Sequence, residues 1–325
     1  MDDAVVGARA RPRFPYVNVV LFLATLASTT IAGAQLASTE AEVLRLATAP
    51  VLHVVAFVAQ RGLPFAAALL GILLSHEMGH YLMARKHRVD ATLPYFLPLP
   101  FVSVGTLGAI IRLRSAFPDR RATLEIGAAG PIAGVVVAVP LLLWGLAHST
   151  VARVPALTPA FVDSPLGLLR QLLSGHPLSQ PVTGWMYGDS LLTWGASRLL
   201  YGQLPAGTEL MIHPVGLAAW IGLFITALNL LPVGQLDGGH VLYAALGHRR
   251  ALAVSRAVNW ALLGCGLMVS WVWLVWWAVT RFYTGLGHPP ALREDPPGRW
   301  PQVVAIVALV LFLLTFIPVP VTPIA

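Results

Sequence analysis

The chain has few charged residues. Aspartate, glutamate, lysine and arginine make up 11% of its 325 residues, whereas they make up about 25% of a typical soluble globular domain. Hydrophobic residues make up 57%. This composition excludes a soluble globular protein and indicates an integral membrane protein whose surroundings are a lipid bilayer.

Cysteine and internal repeats are scarce or absent. Cys265 is the only cysteine, so an internal disulfide is excluded and the redox compartment is left open. The sequence shows no internal repeat, although many transporters are built from repeats, and few ionisable residues lie along its apolar segments. A metal or solute transporter is therefore disfavoured.

Acidic residues are also scarce, and the net charge is +7. The basic residues occur singly or in short clusters at the ends of apolar runs. This distribution is typical of membrane topology signals and not of a phosphate-binding surface. We therefore expect no nucleic acid among the partners of this chain.

The motif His76-Glu77-x-x-His80 lies inside an apolar run that otherwise resembles a membrane span. On a helix, the two histidines lie one turn apart on the same face, which suits two imidazole ligands of zinc. In zinc hydrolases of this pattern, the glutamate takes a proton from a water that the metal activates. Chance matches number only about 0.006 at this composition, and ionisable residues in a span usually mark a functional site. We therefore expect one zinc ion per chain.

Six apolar segments predict about six transmembrane helices, and hence an all-α polytopic membrane protein. The first segment has an alternative interpretation as a signal peptide, because residues 32–34 resemble a cleavage site. Its apolar run is long for a signal peptide, so we expect it to be retained. The segments are 15–35, 63–84, 123–146, 211–231, 257–280 and 300–317.

Residues 91–111 lack Lys, Arg, Asp and Glu, yet Pro94, Pro98 and Pro100 disfavour a spanning helix. Residues 106–115 have strand-like content, so this region is predicted to form a re-entrant β-hairpin beside the active site. An edge of this hairpin would bind an unwound substrate by β-addition, and the alternative is that the hairpin only fills the helix bundle. The residues predicted to contact substrate are Thr106, Leu107, Gly108, Ala109 and Ile110.

The longest connection, residues 147–209, is rich in Pro, Gly and Ser. Two amphipathic pieces within it, 165–173 and 190–201, are expected to lie on the outer membrane surface as a lid, or else to fill space between helices.

The third segment carries small residues at helical spacing. Gly130 and Gly134 form a face on which another helix can pack closely. Glu125, near the start of the segment, is expected to be a helix-dipole or capping residue without a catalytic role.

Asp237 is the only acidic residue between Glu209 and Glu294, and it follows a proline-broken helix end. A carboxylate there completes a set of three protein ligands, which leaves a fourth position for water as in catalytic zinc sites. His240 is a rival third ligand that we interpret as a neighbour of the ligands or as a helix-start residue. Asn229, an amide in an apolar span, either bonds a substrate or transition-state oxygen or holds helices together.

Lysine and arginine are distributed unequally between the two sides. With six crossings, the N-terminal arm and the cytoplasmic turns hold 13 of the 21, and the outer connections, including 282–299, hold 8. This bias predicts that both termini and the zinc site face the cytoplasm. Because no transit-like leader is visible, we expect a bacterial inner membrane.

The pairing of His-Glu-x-x-His in one span with Asn-x-x-Pro and Asp-Gly at the end of a later one resembles the site-2 protease family of intramembrane zinc metalloproteases. Similarity to the bacterial and chloroplast branch, which lacks a PDZ domain, lies in residues 94–98, 105–108, 213–214 and 229–240.

The resemblance implies a three-helix catalytic core built from the second, third and fourth segments. This sequence departs from the family pattern at Gly134, because some relatives have asparagine at that position. It also shows no PDZ or CBS module. The roles implied by the resemblance are zinc ligand for His76, His80 and Asp237, general base for Glu77, and active-site polar residue for Asn229.

The predicted activity is hydrolysis of peptide bonds in or near transmembrane segments of other membrane proteins, as in regulated intramembrane proteolysis. The alternative is a zinc-dependent protein that binds membrane helices without cutting them. The predicted organisation is an N-terminal arm, first helix and outer loop at 1–60, a catalytic membrane core at 61–250, and C-terminal helices at 251–325. No oligomeric state is predicted.

Overall fold

A computed structural model describes residues 15–100, 104–153, 164–174 and 184–324. The N-terminal arm of residues 1–13 lies outside the described residues. The helices are α1 Tyr16–Leu36, α2 Glu40–Leu46, α3 Val51–Lys86, α4 Arg120–Ala147, α5 Pro165–Ser174, α6 Leu191–Tyr201, α7 Pro214–Asn229, α8 Asp237–Leu246, α9 His248–Met268, α10 Trp271–Ala278 and α11 Arg299–Thr315, with a π-helical turn at Val279–Tyr283. The strands are β1 Tyr95–Pro98, β2 Thr106–Ile110, β3 Thr150–Arg153, β4 Gly184–Tyr187, β5 Thr208–Met211 and β6 Val321–Ile324.

Four of the described helices, α1, α3, α4 and α9, are long and apolar enough to cross a membrane. Helices α7 and α11 are apolar but have only 16 and 17 residues. Each of these six helices overlaps one of the six predicted segments, and the all-α polytopic fold is confirmed. Helix α3 begins at Val51, earlier than predicted, and Pro64 lies within it.

Helices α3, α4 and α7 pack against one another and form the core of the molecule. Small residues let their backbones approach closely. A Cβ atom at Gly79 of α3 would lie 2.4 Å from the carbonyl oxygen of Ala129 in α4, and one at Gly145 of α4 would lie 2.2 Å from the Gly216 nitrogen in α7. The buried hydrophobic cluster to which α3 and α7 both contribute includes Phe65, Leu69, Leu73, Leu217 and Ile221.

Strands β1 and β2 form the predicted antiparallel hairpin, in which Phe96 pairs with Ala109. The hairpin packs against α1, where Ser28 Oγ donates a hydrogen bond to the Gly105 carbonyl at 2.7 Å. Gly105 has a φ of +82°, and a Cβ atom there would lie 2.5 Å from the Ser28 carbonyl oxygen, so the position requires glycine. These contacts fix the hairpin beside the helical core.

Residues 257–280, predicted as one span, form a helical hairpin instead. Helix α9 ends at Met268, and the chain turns back as α10 and the π-helical turn, which pack along α9. Gly266 permits this close return, because a Cβ atom there would lie 2.6 Å from the Leu274 side chain. The turn was not predicted because the residues on both sides of it and within it are almost all apolar, so the segment has the composition of one continuous span.

The hairpin changes the side on which the following segments lie. Residues 284–298 lie at the end of the molecule where α4 begins, since Arg293 Nη2 is 3.1 Å from Asp119 Oδ2. The prediction that 282–299 forms an outer connection is therefore wrong. Helix α11 then runs to the opposite end, where β6 pairs with β4 of the 147–209 connection. The C-terminal segment consequently lies at the end opposite the start of α4, whereas both termini are predicted to lie on the side where α4 begins.

The two amphipathic pieces of the long connection are helices α5 and α6, as predicted. The N-terminus of α6 is capped by Ser190, whose Oγ accepts a hydrogen bond from the Thr193 amide at 3.1 Å. Tyr201, at its other end, donates a hydrogen bond from its hydroxyl to the Leu146 carbonyl of α4. The role of these helices as a lid stays a prediction.

Candidate metal centre

Three donor side chains converge where α3 faces the start of α8. The Nε2 atoms of His76 and His80 lie 3.1 Å apart. Asp237 Oδ2 lies 3.1 Å from His76 Nε2 and 3.3 Å from His80 Nε2. Within the described portion of the chain, these residues are the only group of three His, Cys, Asp or Glu side chains that can hold a metal ion. Two imidazoles and one carboxylate fit a zinc site that keeps one position open.

A backbone contact orients His80. Its Nδ1 atom lies 2.7 Å from the carbonyl oxygen of Ile126 in α4. A carbonyl oxygen only accepts hydrogen bonds, so Nδ1 carries the proton and Nε2 keeps its lone pair toward the other two donors. This tautomer is the one that a metal ligand requires.

The two predicted helix-packing glycines lie against the histidine rings. A Cβ atom at Gly130 would lie 2.0 Å from His80 Nε2, and one at Gly134 would lie 3.3 Å from His76 Nδ1. Helix α4 can therefore pass beside the donor group only because these positions, and Gly130 above all, lack side chains. The two glycines thus leave room for the histidine rings, in addition to allowing the helices to pack closely.

A tight loop between α7 and α8 positions Asp237. Within it, Gly234 has a φ of +56°, a conformation that favours glycine. A Cβ atom at Gly234 would also lie 1.9 Å from the Gly285 carbonyl oxygen. The loop is thus packed between the core and the 284–298 segment, which holds Asp237 at the first position of α8.

A cavity of about 240 Å³ lies beside the three donors. Glu77 lines it, is buried, and accepts a hydrogen bond at Oε2 from the Ile111 amide at 2.8 Å. Asn229, the last residue of α7, also lines it, with Nδ2 3.4 Å from His76 Nε2. The other lining residues are Ala109, Ile110, Ile111, Leu113, Ile126, Gln235, Leu236 and His240.

Residues 64–272, which include this entire donor group, match the family model of Peptidase family M50. The chain belongs to this family. Membership confirms the resemblance to site-2 proteases that the motifs indicate.

Three curated relatives of this M50 chain are named as probable chloroplastic zinc metalloproteases. It is 32% identical over 314 residues to the probable zinc metalloprotease EGY1 of Arabidopsis thaliana, across 93% of this chain and 53% of the relative. It is 33% identical over 262 residues to the probable zinc metalloprotease EGY1 of Oryza sativa subsp. japonica, across 80% and 41%. It is 30% identical over 260 residues to the probable zinc metalloprotease EGY2 of Arabidopsis thaliana, across 80% and 42%. The chain therefore spans about half the length, or less, of these relatives, and no solved structure matches it.

The hairpin of the M50 chain reaches the cavity only through the end of β2. Of the five residues predicted to contact substrate, Ala109 and Ile110 border the cavity and the three before them do not. Thr106 Oγ1 instead donates a hydrogen bond to the Leu97 carbonyl at 2.9 Å and stabilises the hairpin. The sequence analysis missed Ile111 because this residue contributes its backbone N–H, and the identity of a side chain does not indicate such a role.

His240 lines the cavity but is not among the three converging donors. Its Nδ1 atom lies 2.6 Å from His288 Nε2, and His288 Nδ1 lies 2.5 Å from the Pro289 carbonyl oxygen. The carbonyl only accepts, so His288 donates from Nδ1 and accepts at Nε2, and His240 Nδ1 carries the shared proton. Burial lowers the pKa of His288 to about 4. His288 was not predicted, because it approaches the site from a distant loop.

Glu125 lies outside the cavity and joins the ends of α3 and α4. Its buried carboxylate forms ion pairs with Lys86 at 3.1 Å, His87 at 2.9 Å and Arg121 at 2.7 Å. The side chain that caps α4 belongs to Asp119. The capping alternative for Glu125 is therefore wrong, whereas the helix-dipole role and the lack of a catalytic role stay predictions.

Proposed function

We propose that this chain is an intramembrane zinc metalloprotease that hydrolyses peptide bonds in or near transmembrane segments of membrane-protein substrates, in regulated intramembrane proteolysis. The observation that carries the proposal is the convergence of His76, His80 and Asp237 with Glu77 at one cavity among apolar helices. Membership in a peptidase family and the names of the relatives, which are probable zinc metalloproteases, support it.

In this proposal, His76, His80 and Asp237 hold one zinc ion. When bound, zinc activates a water molecule near neutral pH and polarises the scissile carbonyl. The Ile126 carbonyl keeps His80 in the tautomer that presents Nε2. Burial of His76 and His80 limits the access of competing water to two of the three donors.

Glu77 is the proposed general base. Its Oε2 atom accepts the Ile111 amide hydrogen bond, which leaves Oε1 to accept a proton from water and later return it to the leaving amine. Asn229 Nδ2 is the proposed donor to the scissile carbonyl oxygen, which gains negative charge during attack. Its place at the end of α7, facing the same cavity, supports this role.

The hairpin is the proposed substrate platform. Among the described strands, β2 pairs only with β1, and its Ala109 and Ile110 border the cavity. A helical substrate has its backbone amides bonded internally, so it must unwind before cleavage. We propose that the unwound segment then pairs with Thr106–Ile110 as an extended strand, which places its backbone beside Glu77.

The domain limits and the orientation are also proposals. We assign the catalytic core to residues 61–250, between an N-terminal region at 1–60 and the C-terminal helices at 251–325. Basic clusters at the ends of α3 and α8 support an active site near the cytoplasmic side. The return of 284–298 adds Arg293 to that end, which strengthens the excess of basic residues there. The bacterial inner membrane stays a prediction, since the named relatives are chloroplastic.

The test is cleavage of a panel of tagged single-span substrates by the full chain in liposomes, with zinc content measured in parallel. Wild type and Glu209→Gln, a matched change at an exposed glutamate, are expected to cut. Glu77→Gln should cut at least about 100-fold more slowly while keeping its zinc, because only the proton acceptor is lost. Unchanged cleavage by Glu77→Gln would contradict the mechanism. Zinc binding without any cleavage by wild type would instead support the non-cutting membrane-helix binder.

A further inference from the structure

A second cavity lies between α9 and the π-helical turn. Its volume is about 420 Å³, within the range of roughly 300–1,000 Å³ that is typical of small-molecule sites. None of its lining residues borders the cavity beside the metal donors. The lining residues are Leu252, Arg256, Asn259, Trp260, Arg281, Gly285 and Leu286.

Two arginines give this cavity a positive charge that no carboxylate neutralises. Across the described residues, neither Arg256 nor Arg281 has a carboxylate within ion-pairing distance, whereas Arg121 and Arg293 are each paired with one. Guanidinium groups bind phosphate through two parallel hydrogen bonds. The charge and the donor type therefore favour a phosphate ligand.

The cavity is held in place by a buried amide. Asn259 Nδ2 donates hydrogen bonds to the Trp277 carbonyl at 3.2 Å and to Thr280 Oγ1 at 2.9 Å. Both amide hydrogens are used, so Asn259 ties α9 to the π-helical turn that carries Arg281 and is not itself a ligand donor. Single π-helical turns occur frequently at functional sites.

One exposed aromatic residue lines the basic cavity, and two more follow Arg281 in the chain. Trp260 is 69% exposed, and Phe282 and Tyr283, which follow Arg281, are 74% and 90% exposed. Aromatic side chains of this kind are enriched where a membrane meets water. The α9–α10 hairpin also exposes apolar residues such as Met268 and Val275, along which acyl chains can lie.

We propose that this cavity binds the phosphate of an anionic phospholipid headgroup, held by Arg256 and Arg281. Basic pockets between membrane helices bind anionic lipid headgroups in this manner. The proposal goes beyond the protease activity and does not depend on it.

The lipid site adjoins the loop that leads to Asp237. Ser255, next to Arg256, accepts a hydrogen bond at Oγ from the Gly234 amide at 3.4 Å. Gly285, which lines the cavity, packs directly against Gly234. A bound headgroup would thus stabilise the segment that positions one metal donor.

The experiment measures lipid retained by the full chain, in detergent, by native mass spectrometry. Wild type is expected to retain phosphatidylglycerol in preference to phosphatidylcholine. The double variant Arg256→Ala/Arg281→Ala should lower phosphatidylglycerol retention about tenfold. Arg249→Ala/Arg250→Ala is the matched control, because it removes the same charge from the same helix outside the cavity and should leave retention unchanged.

Equal losses in the two double variants would overturn the proposal, since they would indicate a general surface attraction. Equal retention of the two lipids by wild type would also overturn it. Tight binding of inorganic phosphate, with no lipid preference, would indicate a free-phosphate site and overturn the lipid assignment. If the alanine variant does not fold, Arg256→Lys/Arg281→Lys decides, because it keeps the charge but loses the guanidinium geometry and should retain several-fold less lipid. Unchanged retention in that variant would contradict the role of the arginines.

Discussion

Ile111 donates its backbone amide hydrogen to Glu77 Oε2 over 2.8 Å. This bond joins the proposed general base on α3 to the residue that directly follows β2. This hydrogen bond therefore links the proposed substrate-binding strand directly to the carboxylate that is proposed to take the proton. A shift of the hairpin would move both together.

Replacing Ile111 by proline removes the amide hydrogen and should weaken the orientation of Glu77. A hydrogen bond to a charged group is worth about 1.5–3 kcal/mol, so we expect cleavage to slow by about tenfold or more with zinc content unchanged. Rates on a single-span substrate in liposomes measure this effect. Ile111→Ala keeps the amide and is the control, and equal rates for the two variants would show that the bond does not matter.

The choice between Asp237 and His240 as third zinc ligand predicts different metal affinities. Asp237→Ala removes a converging donor, so zinc affinity should fall by more than about 100-fold, beyond the loss caused by removing a supporting residue. His240→Ala removes a neighbour bonded to His288 and should leave zinc stoichiometry at one per chain. Competition with a fluorescent chelator measures both, and the reverse ranking would make His240 the ligand.

A methyl group at Gly130 should displace His80. The added Cβ atom would lie 2.0 Å from His80 Nε2, which is far inside van der Waals contact. Gly130→Ala is therefore expected to lower zinc occupancy and cleavage together. Gly71→Ala is the control on α3, since a Cβ atom there meets nothing within 4 Å. Normal zinc content in Gly130→Ala would show that the missing side chain at this position is not needed to position His80.

Burial of His288 should make the 284–298 segment sensitive to acid. Its pKa is about 4 in the folded protein and about 6.5 when exposed. The exposed form binds the proton more readily, so the segment's full stability is present above pH 6.5 and is lost as the pH falls toward 4. A proton on His288 Nε2 would also repel the proton on His240 Nδ1 and so remove the hydrogen bond between the two rings.

Hydrogen exchange checks this prediction at the amides of Ala291, Leu292 and Arg293, which are bonded to neighbouring segments. After correction for intrinsic rates, their protection should fall between pH 7 and pH 5. His288→Asn should reduce that dependence, and His53→Asn, a change at an exposed histidine, should not. An identical pH dependence in His288→Asn would assign the effect to another group.

Local geometry explains which features could be predicted from the sequence. His76 and His80 are four residues apart, and a helix of any tertiary context places them on one face. The apolar segments, the proline-rich hairpin and the amphipathic α5 and α6 likewise depend on short-range composition. These features needed no knowledge of what packs against them.

The rest depended on contacts between distant residues. The Ile126 carbonyl and the Ile111 amide carry no side-chain signature, so only packing reveals that they orient His80 and Glu77. His240 contacts His288 because the chain folds back after α10 and brings 284–298 beside α8.

The sequence by itself determined the membrane environment, the helical class and the two histidines, since each follows from composition or from one helical turn. The tertiary structure alone decided which backbone groups orient the donors, the reach of the hairpin and the end of the molecule at which the C-terminal segment lies. Those properties depend on how helices of nearly uniform hydrophobicity pack against one another. The hydrophobicity of a segment does not show where the chain turns back or which neighbour it contacts.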